Sequence, residues 1–223
     1  MPRCPTISPV NLPPIIFDFD GTIVDSEPTH GRVLSQLLAE HDLPFEPGPH
    51  VGLPDEAVIR AVFADNHREL TDDDLAALLA RKCELMAAAI RAGELDPYPG
   101  VVEGVRWFSI ERRPLAVCSA AFRADITATL TALGILNCFQ VVVSAEDVTM
   151  GKPDPAPYRL AVARLGATPG NCTAIEDSVA GVSSALNAGC KVLGVGHTTP
   201  TDHLRAATRF FRTIREAIQY LKH

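Results

Sequence analysis

The chain has 223 residues, of which 47% are hydrophobic and 21% are charged, so it is long enough to bury a sizeable hydrophobic core. These fractions are close to globular averages and exclude a mostly disordered chain. The 20 Lys and Arg residues against 27 Asp and Glu residues give a formal net charge of −7, which argues against nucleic acid or an anionic membrane as a partner, because both need a clustered basic surface.

The start of the chain and its cysteines bear on the compartment of the protein. Residues 1–14 are rich in proline, lack the apolar segment of a signal peptide and predict a flexible N-terminal extension. No two cysteines form a C-x-x-C pair, so we expect reduced core residues. The six are Cys4, Cys83, Cys118, Cys138, Cys172 and Cys190. No apolar run approaches the roughly 20 residues of a membrane span, and we expect a cytoplasmic protein.

The first predicted strand is followed by a long helical segment. Ile15–Asp18 is a β-branched and aromatic run that ends in a polar residue, as in a buried parallel strand. From residue 26 to about 94, apolar residues recur at spacings of three and four, which is typical of helices. Thr71 and Asp74 resemble the capping pair at a helix start, and Gly93 resembles a helix stop. We expect residues 26–94 to be all-helical.

Strands and helices alternate in the rest of the chain. The predicted strands are Leu115–Ser119, Val141–Ser144, Thr173–Glu176 and Lys191–Val195. The predicted helices are Val101–Ile110, Arg123–Leu133, Pro155–Leu165 and Val179–Ala188, with a last helix that begins at Thr213. This alternation predicts a doubly wound, Rossmann-like parallel α/β sheet with right-handed crossovers. Residues 15–25 and 95–223 would form this core, with the helical segment 26–94 inserted into it.

Polar side chains follow four of the predicted strands. In open α/β sheets, ligands bind beyond the carboxyl ends of the strands, so we expect these residues to converge at one sheet edge. They are Asp18, Asp20 and Thr22 after the first strand, Ser119 after the second, Lys152 in the loop after the third, and Glu176 and Asp177 at the end of the fourth. Each pattern alone is common in turns and helix caps, and only the combination is informative.

The residue types in this set favour metal-assisted phosphoryl transfer. Asp18 and Asp20 lie two apart on an extended segment, so both project to the same side. Crowded carboxylates need a divalent cation or a retained proton, and oxygen ligands without His or Cys favour Mg²⁺. Lys152, Ser119 and the amides after Asp18 can bind phosphoryl oxygens, and an Asp nucleophile forming an aspartyl-phosphate is a known covalent strategy.

Four segments of the sequence carry a family resemblance. They are Asp18–Ser26, Ser119 in Cys118–Ala120, Lys152 in Gly151–Pro155, and Glu176–Ser178 with Gly181, continued by Asn187–Gly189. On these motifs, the span from Ile15 to about Val195 resembles the haloacid dehalogenase superfamily, in the β-phosphoglucomutase-like branch of capped phosphatases. The resemblance implies that residues 26–94 are a cap domain that closes over the site. It also favours a monomer.

The resemblance implies a role for each site residue. Asp18 would be the nucleophile, and Asp20 the general acid and base. Mg²⁺ would be held by Asp18, the main-chain carbonyl of Asp20 and Asp177, with Glu176 adjacent. Ser119 and Lys152 would bind the phosphoryl group, assisted by the backbone around Gly21, Thr22 and Ala120.

Alternatives within the family differ at a few positions. By the resemblance, dehalogenases lack the second Asp and phosphonoacetaldehyde hydrolases usually carry a small residue there, so Asp20 argues against both. The phosphonoacetaldehyde hydrolases also use a cap lysine as a Schiff base, and Lys82 is the only lysine of this cap. The cap loop Val51–Glu56 lacks the Arg typical of sugar-phosphate mutases, which argues against a mutase. His30, ten residues after Asp20, is a position at which this chain does resemble the mutases. We therefore expect a phosphatase for a sugar phosphate or a phosphoglycolate-like substrate, with a phosphosugar mutase as the alternative.

Three further possibilities stay open at this point. His30 can be a substrate contact or an ordinary polar residue of the first cap helix. The cap arginines can bind an anionic part of the substrate or lie on solvated helix faces; they are Arg32, Arg60, Arg68, Arg81 and Arg91. A receiver-like signalling domain also combines acidic residues, a hydroxyl and a Lys, but it needs no helical insertion of this length.

Overall fold

The computed structural model describes residues 12–46 and 54–223, except the side chains of residues 201 and 202. Most of the predicted N-terminal extension therefore lies outside the described residues. The same holds for Cys4 and for residues 51–53 of the cap loop.

The described chain contains eight strands and eight α-helices. The strands are β1 (Ile15–Phe17), β2 (Val24–Asp25), β3 (Asp96–Pro97), β4 (Leu115–Cys118), β5 (Val141–Val143), β6 (Thr173–Glu176), β7 (Lys191–Val195) and β8 (Arg209–Phe211). The helices are α1 (Glu27–Ala39), α2 (Asp55–Asp65), α3 (Asp72–Arg91), α4 (Val101–Ile110), α5 (Arg123–Ala132), α6 (Ala156–Arg164), α7 (Val179–Asn187) and α8 (Ile214–Leu221).

Six strands form one parallel sheet in the order β5-β4-β1-β6-β7-β8. The chain runs outward from β1 on one side through β4 and β5, and then outward on the other side through β6, β7 and β8. The strand order therefore reverses at β1, which creates a crevice at its carboxyl end. This confirms the predicted doubly wound α/β core, although the sequence analysis missed the sixth strand, β8.

The central strand β1 is buried between two neighbouring strands. Ile15, Ile16 and Phe17 are fully buried, and β4 and β6 flank the strand on its two sides. A parallel strand covered on both faces needs a continuous apolar run rather than an alternating one. Helices α6 and α7 pack on one face of the sheet through a core that includes Ile16, Tyr158 and Val182. The polar residue after β1 is thus held at the edge of a rigid core.

The chain divides into two compact units, one of residues 24–96 and one of residues 1–23 with 97–223. The 24–96 unit contains α1, α2 and α3, and its interior is made of apolar residues that recur at helical spacing. At the start of α3, Thr71 and Asp74 form the predicted capping box, and Gly93 follows its end with φ +75°. None of the helices in the described part of the chain combines the length and apolarity that crossing a membrane requires.

The described cysteines correct one prediction. Cys83, Cys118, Cys138, Cys172 and Cys190 all have free thiols, as predicted. However, Cys83 is exposed on α3, so it is not a core residue. Its position on the outer face of an amphipathic helix explains the error, because a cysteine among apolar residues gives no sign of the face it occupies.

Candidate active site

One ammonium group joins three neighbouring strands at the carboxyl edge of the sheet. The Lys152 Nζ lies 2.5 Å from Asp18 Oδ1 after β1, 2.6 Å from Glu176 Oε1 at the end of β6 and 3.0 Å from the Cys118 carbonyl oxygen at the end of β4. The Lys152 side chain is about 10% exposed, and this burial disfavours its charged form. The two carboxylates nevertheless hold the pKa of Lys152 well above its ordinary value. Lys152 is therefore a fixed cation at the centre of the site.

Glu176 is fully buried, and each of its carboxylate oxygens has a partner. Oε1 accepts from Lys152 and from the Tyr158 hydroxyl at 2.6 Å, and Oε2 accepts from the Ser178 hydroxyl at 3.2 Å. A Cβ atom at Gly181 would overlap the Glu176 carboxylate. The glycine of the fourth motif is thus required because α7 passes directly against this side chain.

Three carboxylates gather in the crevice at the end of β1. Oxygen atoms of Asp18, Glu176 and Asp177 all lie within 4.8 Å of one another, and all three residues are buried. Burial raises the pKa of Asp18 well above its usual range, and the charge of Glu176 raises it further against the lowering effect of Lys152. Burial, followed by the charge of Glu176, also raises the pKa of Asp177, to about 6. The crevice therefore holds more negative charge than Lys152 offsets.

This donor set fits a hard divalent cation. The clustered ligand atoms are all carboxylate oxygens, which Mg²⁺ prefers, with no His or Cys among them. A cation there would stabilise the ionised forms of Asp18 and Asp177, which burial disfavours. Glu176 Oε1 already accepts from both Lys152 and Tyr158. Lys152 contacts only one oxygen of Asp18, and Asp177 accepts from the uncharged hydroxyl groups of Thr22 and Thr198. Asp18 and Asp177 are therefore the side chains best placed to bind the metal directly.

The turn after β1 packs against Asp177. Thr22 is fully buried, and its hydroxyl donates to Asp177 Oδ1 at 3.3 Å, while its amide donates to the Phe19 carbonyl at 3.3 Å. Gly21 has φ +75°, and a Cβ atom there would overlap the Asp177 carboxylate. The side chain of Thr22 thus supports Asp177, and only glycine fits at position 21.

A cavity opens beside Lys152 at the ends of β4 and β5. Its volume is about 200 Å³, and its lining includes Ser119, Ala120, Gly151 and Lys152. The Ser119 Oγ accepts from the Ala121 amide at 2.9 Å, which fixes its position in the cavity wall. The structure thus brings the residues of the second and third motifs to one small cavity, which Lys152 joins to the acidic cluster.

A model of the haloacid dehalogenase-like hydrolase family matches residues 15–195, a span that contains the whole arrangement described above. The chain belongs to the haloacid dehalogenase-like hydrolase family. The predicted family is thereby confirmed, and so is the prediction of a hydrolase that acts on phosphate esters.

Relatives of this hydrolase act on small phosphate esters. Fructose-1-phosphate phosphatase of Escherichia coli is 32% identical over 184 residues, which cover 81% of this chain and 95% of the relative. Phosphoglycolate phosphatase of Caulobacter vibrioides is 32% identical over 188 residues, with 82% and 79% covered. The crystal structure of a candidate β-phosphoglucomutase from Thermotoga maritima superposes with a TM-score of 0.79 at 25% identity, covering 95% of this chain and 99% of that one.

Asp20 and His30 have different surroundings in this hydrolase. Asp20 follows the nucleophile candidate by two residues and is partly exposed, whereas Asp18 is buried. His30 lies in the helical 24–96 unit, where its Nδ1 is 2.9 Å from the buried Lys82 Nζ, and Lys82 also pairs with Asp55. Its predicted contact with substrate stays a prediction.

Three arginines of the 24–96 unit form ion pairs at its surface. Arg32 pairs with Glu94, Arg60 with Glu56 and Asp72, and Arg81 with Glu40 and Glu84. All these guanidinium groups are substantially exposed. For these three residues the contacts favour solvated helix faces over binding of an anionic substrate.

Sequence reasoning missed three residues that support the site. Tyr158 on α6 donates to Glu176, Thr198 donates to Asp177 Oδ2, and His197 contacts the Gly21 carbonyl. The rule that chemistry follows strand ends would have found His197 and Thr198, because β7 ends at Val195. No comparable signal exists for Tyr158, whose reach to Glu176 depends on how α6 is rotated against the sheet.

Proposed function

We propose that this protein is a Mg²⁺-dependent phosphatase that hydrolyses a small organic phosphate monoester, a sugar phosphate or a phosphoglycolate-like compound, through an aspartyl-phosphate on Asp18. The observation that carries this proposal is the Lys152 ammonium between Asp18 and Glu176, beside the three-carboxylate cluster. The named activities of the two phosphatase relatives support the substrate class.

Each step of the reaction can be assigned to groups of this chain. The Asp18 carboxylate, held in place by Lys152 at Oδ1, attacks phosphorus while the bond from phosphorus to the substrate oxygen breaks. Asp20 gives its proton to that leaving oxygen. Water then attacks the phosphoryl group and gives a proton to Asp20, which releases inorganic phosphate and restores the Asp18 carboxylate. Ser119 and Lys152 stabilise the charge on the transferred group.

The metal would be held by Asp18, Asp177 and the main-chain carbonyl of Asp20. When bound, Mg²⁺ would offset the negative charge of the carboxylates and of the substrate phosphate. Glu176 acts through Lys152, whose position it fixes. The helical unit of residues 24–96 would serve as the cap that excludes water from the site. A cytoplasmic location and a monomeric state stay predictions of the sequence.

A phosphosugar mutase is the second candidate, favoured by the likeness to the Thermotoga maritima protein. The two activities separate in one assay. A phosphatase releases inorganic phosphate from a sugar 1-phosphate, whereas a mutase converts it to the 6-phosphate when a sugar bisphosphate is supplied. A panel of phosphorylated sugars and short phosphorylated acids in Mg²⁺ tests the leading proposal; it fails if none of them releases phosphate faster than the uncatalysed control.

Removal of divalent cations is expected to abolish phosphate release, and added Mg²⁺ should restore it. In Asp177→Asn, the Mg²⁺ concentration for half-maximal activity should rise by at least ~10–100-fold, because a charged ligand to the metal is lost. A Mg²⁺ titration of the initial rate measures this. Asp65→Asn, at an exposed position of α2, is the matched control and should titrate like the wild type. An unchanged titration in Asp177→Asn would contradict the metal assignment.

A further inference from the structure

His197 lies just beyond β7, at the same sheet edge as the acidic cluster. Its Nδ1 is 2.9 Å from the Gly21 carbonyl oxygen in the turn after β1, and its Nε2 is 3.0 Å from the Ile214 amide at the start of α8. The ring stacks on Tyr98 with a centroid distance of 3.8 Å and an interplanar angle of 22°. Both nitrogens and one ring face of His197 are thus in contact with groups of the hydrolase core.

These contacts determine the tautomer of His197. The Ile214 amide can only donate, so Nε2 must be the acceptor and carries no proton. The Gly21 carbonyl can only accept, so Nδ1 must carry the proton. A neutral imidazole with its proton on Nδ1 satisfies both partners, whereas the other tautomer would satisfy neither.

The turn that His197 contacts is the one that carries the catalytic aspartates. Gly21 directly follows Asp20, and its positive φ brings the turn close against Asp177. The next residue after His197 extends the same support, because the Thr198 hydroxyl donates to Asp177 Oδ2. The segment itself is anchored, since the Gly196 amide donates to the Phe211 carbonyl of β8 at 3.1 Å. The loop after β7 therefore contacts both the turn after β1, through His197, and Asp177, through Thr198.

We propose that His197 is a positioning residue, whose Nδ1–H fixes the Gly21 carbonyl and thereby the orientation of Asp20 and its main-chain carbonyl. This inference rests on the proposed phosphatase function, since it assigns His197 to the geometry of that reaction. The contact with Ile214 connects the ring to α8 and gives the hydrogen bond to Gly21 a fixed direction. The stack on Tyr98 restricts rotation of the ring.

Two substitutions separate the two hydrogen bonds of His197. In His197→Asn, the amide nitrogen can take the place of Nδ1 and donate to Gly21, but the acceptor for Ile214 is lost. In His197→Gln, the amide oxygen can take the place of Nε2 and accept from Ile214, but the donor to Gly21 is lost. The two variants are therefore matched controls for each other.

His197→Gln is expected to lower kcat by ~10–100-fold with little change in KM, because a small displacement of a catalytic group is costly. His197→Asn should keep kcat within ~3-fold of the wild type, although it loses the contact with α8 and unfolds at a lower denaturant concentration. Steady-state kinetics on an aryl phosphate and denaturant unfolding measure the two effects. The proposal is overturned if the less stable variant, His197→Asn, is also the one with the lower kcat, or if both variants keep the wild-type kcat.

A spectroscopic readout tests the tautomer without any activity assay. In protein labelled with ¹⁵N at the histidine rings, the signals that disappear in His197→Gln identify this ring. They should report a protonated Nδ1 and an unprotonated Nε2, and the opposite assignment or a doubly protonated ring would overturn the proposal. If the wild type released no phosphate but the ring carried its proton on Nδ1, the proposed function would fail while the tautomer assignment would hold. If the wild type were active but the ring carried its proton on Nε2, the proposed role of His197 would be rejected and the proposed function would be unaffected.

Discussion

Asp18→Asn is expected to abolish phosphate release from an aryl phosphate in Mg²⁺, with kcat at least ~10⁴-fold below the wild type. Asn has the shape of Asp but lacks the negative charge that the proposed nucleophile and metal ligand would need. Loss of the nucleophile removes the covalent route, so an improved leaving group on the substrate should not rescue the variant. A sensitive phosphate assay with a series of aryl phosphates measures this. Activity within tenfold of the wild type would contradict the role of Asp18.

The same substitution should leave the metal-free protein folded. Burial and the charge of Glu176 raise the pKa of Asp18, so the ionised Asp18 is destabilised by its surroundings. A neutral Asn removes this repulsion while it keeps an oxygen for Lys152. We therefore expect Asp18→Asn to unfold at the same denaturant concentration as the wild type or higher when Mg²⁺ is absent. This separates the loss of activity from a loss of structure.

Lys152→Met is expected to remove activity and also to lower the free energy of unfolding by about 3–5 kcal/mol, because it leaves buried carboxylates without their cation. Glu176 is fully buried and would keep only the hydroxyl groups of Tyr158 and Ser178 as partners. Denaturant unfolding in the absence of Mg²⁺ measures the effect.

Two further variants control this result. Lys191→Met removes an exposed ammonium at the start of β7 and should change the free energy of unfolding by less than about 0.5 kcal/mol. Glu176→Gln combined with Lys152→Met removes the uncompensated charge and should regain part of the stability that Lys152→Met alone loses. If Lys152→Met were as stable as the wild type, the central position of the Lys152 cation would be incorrect.

Much of the site could be predicted because parallel strands place their carboxyl ends at one edge. That rule predicts the positions of Asp18, Lys152, Glu176 and Asp177. The apolar run Ile15–Phe17 identifies the central strand, after which Asp18 follows. The contacts then add what the rule cannot give, namely that Lys152 bridges Asp18 and Glu176 rather than merely lying near them.

Other features depend on relations that the order of residues does not encode. Tyr158 reaches Glu176 only because α6 presents that face to the sheet, and its helical spacing equally fits an ordinary apolar core position. The strand Arg209–Phe211 is too short for a period of two to be recognised. His197 and Thr198 lie in a loop, where no periodicity exists, so only their distance from the end of β7 marks them.

The net charge of −7 has a local counterpart in the site. Three buried carboxylates face one ammonium group, and the pKa of Asp177 is raised to about 6 by burial and by the charge of Glu176. A further anion, such as a substrate phosphate, would add to this excess. The proposed metal requirement therefore follows from the charge of the crevice as well as from the types of its ligands.

The most direct test of the proposed mechanism is to trap the phosphorylated enzyme in Asp20→Asn. An aryl phosphate with a good leaving group needs no proton from Asp20, so Asp18 should still be phosphorylated, whereas water lacks the base that activates it. Acid quenching followed by peptide mass spectrometry should find one phosphoryl group on the peptide that contains Asp18. Release of the phenol without any phosphorylated protein, or a phosphoryl group on another residue, would contradict the proposed aspartyl-phosphate on Asp18.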